Sequence, residues 1–177
     1  MPFVDKYKLA AEGLVIDNVL KIVKDDLKPC LDTQNPTEAL LDPSNAAFLP
    51  DLAERTFGSF MRLGFPALVA DLMDGNDEDS EARVDENIRI EMLLVVTDPE
   101  ASNVTRRLAK YVRALRTILF SANPTEFFTG VESGRVGPAT LKLSRKYLPI
   151  AKGVGETATL GHMRAAEFVL TLEFGER

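Results

Sequence analysis

Between residues 84 and 119 the apolar residues change period once, and that change most limits what the chain can become. Ile88, Ile90, Met92, Leu94 and Val96 fall on every second position and point one way from an extended backbone. From Val104 the apolar residues fall three and four apart, through Leu108, Tyr111, Val112, Leu115 and Leu119. The spacing predicts a strand over 84–97 that runs straight into a helix, which Asn123-Pro124 ends. Asp98 is a good N-cap residue, and Pro99 is preset for the first helical position. Glu100 suits the positive end of the helix dipole. No glycine lies between Val96 and Val104 to let backbone amides approach an anion, and Asp98 and Glu100 repel phosphate. The turn therefore reads as structural.

The other side of the same strand changes character along its length. Asn87, Arg89 and Glu91 are polar, but Leu93 and Val95 replace them further on. The first half should be covered on one face and the second half on both. The second cover comes either from this chain or from another copy of it.

Other segments fall into place around this unit. Val15, Ile16, Val19, Leu20, Val23 and Leu27 predict a helix over 14–28, stopped by Pro29. Residues 30–50 hold three prolines and read as a connection. Residues 51–63 favour a short helix capped by Asp51, and 65–73 a strand ending at the turn pair Asp74-Gly75. The acidic run 76–81 fails as a calcium loop, because the glycine position is Asp79 and the twelfth position is Asp85. It reads as a solvated tip between two strands. Residues 122–138 are loop-like, with Phe127 and Phe128 as core residues. Leu141 and Leu143 mark a strand over 139–148, and 149–162 a flexible stretch with His162 at its surface. The final strand alternates Ala166, Phe168, Leu170, Leu172 and Phe174 against Ala165, Glu167, Val169, Thr171 and Glu173. An exposed apolar edge of that length would invite aggregation, so it should be paired along much of its length.

These elements predict one α+β domain spanning 1–177. Its mainly antiparallel sheet has about four strands, packed by an N-terminal helix and a central helix, with long loops. A chain of 177 residues buries roughly 70% of its unfolded surface.

Composition then narrows the function. The net charge of −6 disfavours free nucleic acid as a partner for the whole surface. The single cysteine, Cys30, forms no internal disulfide and suits a reducing compartment. No signal-peptide core and no run long enough to span a bilayer are seen. Nucleophile elbow, Walker A loop, dinucleotide fingerprint and HExxH are all missing, and His162 is the only histidine. Neither a cofactor nor a metal is expected, and the chain is read as a non-enzyme. Arg106, Arg107, Lys110, Arg113 and Arg116 occupy much of the central helix's remaining surface. They either contact phosphate or form a solvated face that pairs with acidic residues of a neighbouring subunit. The second reading is preferred, because no aromatic residues interleave the arginines.

The segments "FPALVADLMDG", "ENIRIEMLLVVTDPEASNVTRRLAKYVRALRTILF" and "HMRAAEFVLTLEFGER", in this order, resemble the tail terminator and tail-completion proteins of long-tailed bacteriophages. The connections 29–66 and 149–162 are longer than that family usually carries. The resemblance implies a virion subunit of the neck, assembled in the host cytoplasm. It implies a ring, usually of six copies, that caps the tail tube protein and presents a surface to the head-side connector or stopper. DNA would pass through the centre as cargo, no membrane is involved, and an acidic lumen would let it slide. Leu93, Val95, Arg107 and Arg113 are the candidate subunit-interface residues. Another head-to-tail joining or tail-tube-like subunit is the alternative within this class. A soluble enzyme or ligand-binding domain without a recognisable motif is the alternative outside it.

Overall fold

Two long strands form the spine of the sheet. In the computed structural model, which describes residues 11–34, 47–49, 63–73, 85–130 and 140–175, they are β3 (Asp85–Asp98) and β6 (His162–Gly175). They pair antiparallel from Asp85↔Gly175 to Asp98↔His162, so the last strand is paired along its whole length, as its alternation predicts. β2 (Ala67–Leu72) pairs antiparallel with the other side of β3, and the short β1 (Ala47–Leu49) pairs parallel with β2. β4 (Thr140–Tyr147) pairs antiparallel with β6 along its far side, and β5 (Ala151–Lys152) pairs with the start of β6. The order is β1-β2-β3-β6-β4. The fold is α+β with a mainly antiparallel open sheet and, among the described residues, two α-helices, the architecture the periodicities predict.

Register explains where the core lies. Leu68 and Ala70 of β2, the row Ile88 to Val96 of β3, and Ala166, Phe168, Leu170 and Leu172 of β6 share one face. All are buried there with α1 (Ala11–Gln34) and α2 (Ala101–Ser121). The α2 stripe predicted from spacing is buried throughout, and Ala114 and Ile118 join it. Each fully buried Leu, Ile or Phe contributes about 1.5–3 kcal/mol by leaving water, which is why both helices stay on this face.

The predicted stop at Pro29 is corrected: α1 continues to Gln34 with Pro29 inside it. Pro29 has no N–H to donate to the Asp25 carbonyl, and both residues are exposed, so the lost bond falls on the solvent side of the helix. Leu31 is 2% exposed and extends the buried stripe one more turn, and the Lys28–Asp32 ion pair of 2.7 Å spans the break. Core packing outweighs the local preference.

The loop reading of 122–138 is corrected over five residues, and 131–138 lie outside the described residues. Pro124–Phe128 is a 3₁₀ helix capped by Asn123, whose Oδ1 accepts from Thr125 N at 3.2 Å. Phe127 and Phe128 are buried, as expected. Asn18 of α1 donates to the carbonyls of Phe127 and Thr129 at 3.0 and 2.9 Å and ties the turn to the first helix. The acidic run 76–81 and the helix expected over 51–63, apart from the turn residue Leu63, lie outside the described residues.

Tyr111 is a polar anomaly within the helix-covered core. It is 2% exposed, and its hydroxyl has no hydrogen-bond partner among the described residues. Burial pushes its pKa up to about 12, against a smaller lowering by Arg107. The folded state thus keeps a proton that the unfolded chain releases above about pH 10. Stability from this group is full below pH 10 and falls as pH rises to about 12, by roughly 2–3 kcal/mol. Tyr111→Phe should keep or slightly raise stability at pH 8 and remove this loss. Urea midpoints of both proteins at pH 8 and pH 11.5 check it: parallel declines of wild type and variant would refute it.

Candidate functional site

The strand-to-helix junction is built around Asp98. Its side chain is 3% exposed at the end of β3. Oδ1 accepts from Glu100 N at 2.9 Å, and Oδ2 lies 2.8 Å from Arg107 Nε in an ion pair that is not aligned as a hydrogen bond. Arg107 Nη1 also donates to Gly64 O at 3.2 Å, and Gly64 N donates to Thr97 Oγ1 at 2.9 Å. The expected cap is corrected: α2 starts at Ala101 with Glu100 at the N-cap position and Asp98 still in the strand. Asp98 holds the turn from two residues upstream because its second oxygen is committed to Arg107. Within the junction the buried Asp98 charge is matched by Arg107.

His162 is corrected too. It is the first residue of β6, half-buried, with Nδ1 3.1 Å from Pro99 O. The segment before it contains β5 and a 3₁₀ helix, Gly155–Leu160, in place of one flexible stretch. That segment also supplies the second cover for β3. Leu160 packs with Ala67, Val95 and Ala165, and the half-buried Leu93, Leu148 and Met163 flank them. So the cover comes at least in part from this chain.

The four interface candidates therefore part company. Val95 is 4% exposed beneath Leu160, and Leu93 is half-buried beside it. Arg107 serves Asp98 and Gly64. Arg113 alone is exposed.

Arg113 opens onto a groove of about 430 Å³, lined with Ala109, Arg116, Thr117, Phe120 and Arg145. The register Arg145↔Phe168 puts Arg145 on the helix-covered face of β4, across from the polar side of α2. Among the described residues no carboxylate lies within 4 Å of Arg113, Arg116 or Arg145. Phe120 is 55% exposed at one end. Next along β4, Tyr147 is stacked by Arg145 and Arg164 at 5.7 and 5.8 Å. Arg164 is itself anchored to Thr105 Oγ1 at 2.8 Å and Leu148 O at 3.1 Å. Lys146 pairs with Glu167 at 3.6 Å on the opposite face. The charges on β4 guard an edge that has no strand partner among the described residues. The groove can hold an anionic group between two elements.

The sequence carries one signal for this surface, in the distribution of its charge. Residues 1–100 carry 9 Lys and Arg against 21 Asp and Glu, whereas residues 101–177 carry 12 against 6. The acidic total hides a basic half.

Cys30 is half-buried, and burial, then Asp26, pushes its thiol up, so it stays protonated at neutral pH. Among the described residues no group of His, Cys, Asp and Glu could hold a metal ion. No described helix is long and apolar enough to cross a membrane. Comparison with known protein families and with curated protein sequences returns no match.

Proposed function

We propose that the protein is a structural subunit of a phage neck: a tail terminator that forms a ring on the tail tube and offers its other surface to the head-side connector. The element order carries this reading. A first helix, the antiparallel pair β2–β3, a helix laid across the sheet, and the closing strand β6 form the sequence of elements by which the chain resembles that family. The basic groove beside the open β4 edge, in a chain of net charge −6, adds support. Such a surface suits a charged macromolecular neighbour, and assembly of this kind needs no catalysis. Acidic residues facing the lumen would let DNA pass without being gripped.

Light scattering and negative-stain microscopy of the purified protein test the proposal. The expected result is closed rings, or subunits that become rings when tail tubes are added. A species that stays monomeric with tubes present and copurifies with a metabolite would replace it with the ligand-binding alternative.

A further inference from the structure

We infer that the groove between α2 and β4 is the acceptor half of a head-to-tail contact between copies of this chain, and that its occupant is the acidic 74–86 segment of the next copy. The inference deepens the ring reading and rests on it for the repetition of the contact.

Three observations lead here. First, Arg113, Arg116 and Arg145 converge on one groove from two elements, and none has a carboxylate partner among the described residues. Three guanidiniums with donors unmatched favour an occupant with several carboxylates, since each aligned pair is a charge-assisted hydrogen bond. Second, the chain supplies such an occupant. Residues 74–86 hold seven Asp and Glu against the single Arg83, the densest charge in the sequence. Third, the topology sets them apart. The acidic segment joins β2 to β3, whereas the groove opens at β4, with β6 between β3 and β4. Donor and acceptor are different stretches of the chain, so each copy can give its segment to one neighbour and take that of another, a heterologous contact. A reciprocal exchange would stop at a dimer, which the sedimenting mass distinguishes. Repeated by a rotation that closes, a heterologous contact makes a ring. The exposed Phe120 at the groove's end provides an apolar stop beside the arginines.

Two charge-reversed proteins test the pairing. One carries Arg113→Glu, Arg116→Glu and Arg145→Glu; the other carries Asp77→Lys, Glu78→Lys and Asp79→Lys. Mass is read by analytical ultracentrifugation at 50 mM and at 1 M salt. Wild type should assemble at low salt and shift toward the 19.5 kDa monomer at high salt, where exposed charges are screened. Each variant alone should sediment as a monomer. An equimolar mixture should regain wild-type mass, because the acidic groove of one then faces the basic segment of the other. That rescue also shows that both variants are folded.

Wild-type assembly by the groove variant would overturn the inference and leave the ring reading standing. So would a mixture that stays monomeric while wild type forms rings. A wild type that never assembles, even on tail tubes, would sink both. Wild-type assembly by the groove variant, with loss of binding to a 20-base-pair duplex, would overturn it in favour of a nucleic-acid site.

Discussion

Arg107→Met is expected to lower the free energy of unfolding by about 3 kcal/mol, although Arg107 lies on a helix face that sequence alone reads as solvated. The reason is Asp98. Its side chain is 3% exposed, and the guanidinium 2.8 Å away is the only cation within ion-pair distance of it among the described residues. Methionine fills similar volume but leaves a buried carboxylate with one amide donor, from Glu100 N, and no counter-charge. Removing one partner of a buried pair typically costs about 3–5 kcal/mol; the lower end applies because Arg107 itself is 36% exposed. The Gly64 carbonyl loses its Arg107 donor as well. Asp98→Asn in the Arg107→Met background should recover much of the loss, since a neutral amide needs no counter-charge and its oxygen still accepts from Glu100 N. Arg113→Met, exposed and without a carboxylate partner among the described residues, should change stability by under about 0.5 kcal/mol. Urea unfolding reads all three. At a slope of about 1–3 kcal/mol/M, Arg107→Met should move the midpoint down by about 1–3 M. A midpoint shift no larger than that of Arg113→Met would show that Asp98 is stable without its partner.

The contrast between these arginines shows what the sequence can and cannot tell. Arg107 and Arg113 are six residues apart, roughly 120° around the helix axis. Position alone separates them: Arg107 borders the apolar stripe beside Tyr111, while Arg113 shares a strip with Arg106, Thr117 and Phe120. That much was readable. Their partners were not, because Asp98 and Gly64 reach Arg107, and Arg145 reaches the groove, through tertiary packing. The strands of the spine were legible for the opposite reason: alternation over β3 and β6 is a property of the local chain, and burial of one face enforces it. Pro29 misled because a local rule met a nonlocal demand, the burial of Leu31. His162 misled because its strand begins at the turn residue Gly161, where composition looks like loop. The sequence leaves the cover over Val95 open between this chain and a second copy, and this chain supplies part of it through Leu160, a contact 65 residues away in sequence.

Gly161→Ala is the second large effect, expected to cost about 3 kcal/mol or more. Gly161 has φ +69°, in the left-handed region where a Cβ crowds the following carbonyl and costs about 1–2 kcal/mol. A second cost is added here. A Cβ would lie 2.7 Å from Asp98 O and 2.9 Å from Pro99 Cα, and both are backbone atoms of the junction. Neither can swing aside as a side chain would. Asp98 is fixed by its bridge to Gly161 and its pairing with His162, and Gly153 N donates to Gly161 O at 2.8 Å. Relief would have to pull the start of β6 from the end of β3, loosening the Leu160 cover and the Asp98–Arg107 pair together. Gly130 supplies the internal control. Its φ is +82°, but a Cβ there meets only Leu14 Cδ2 at 3.4 Å, an ordinary contact with a side chain that can turn. Gly130→Ala should therefore show the conformational strain alone, about 1 kcal/mol. The difference between the two alanine variants isolates the cost of the clash. Equal losses in urea unfolding would mean that the junction yields freely, and that the β3–α2 turn is held less tightly than its contacts imply.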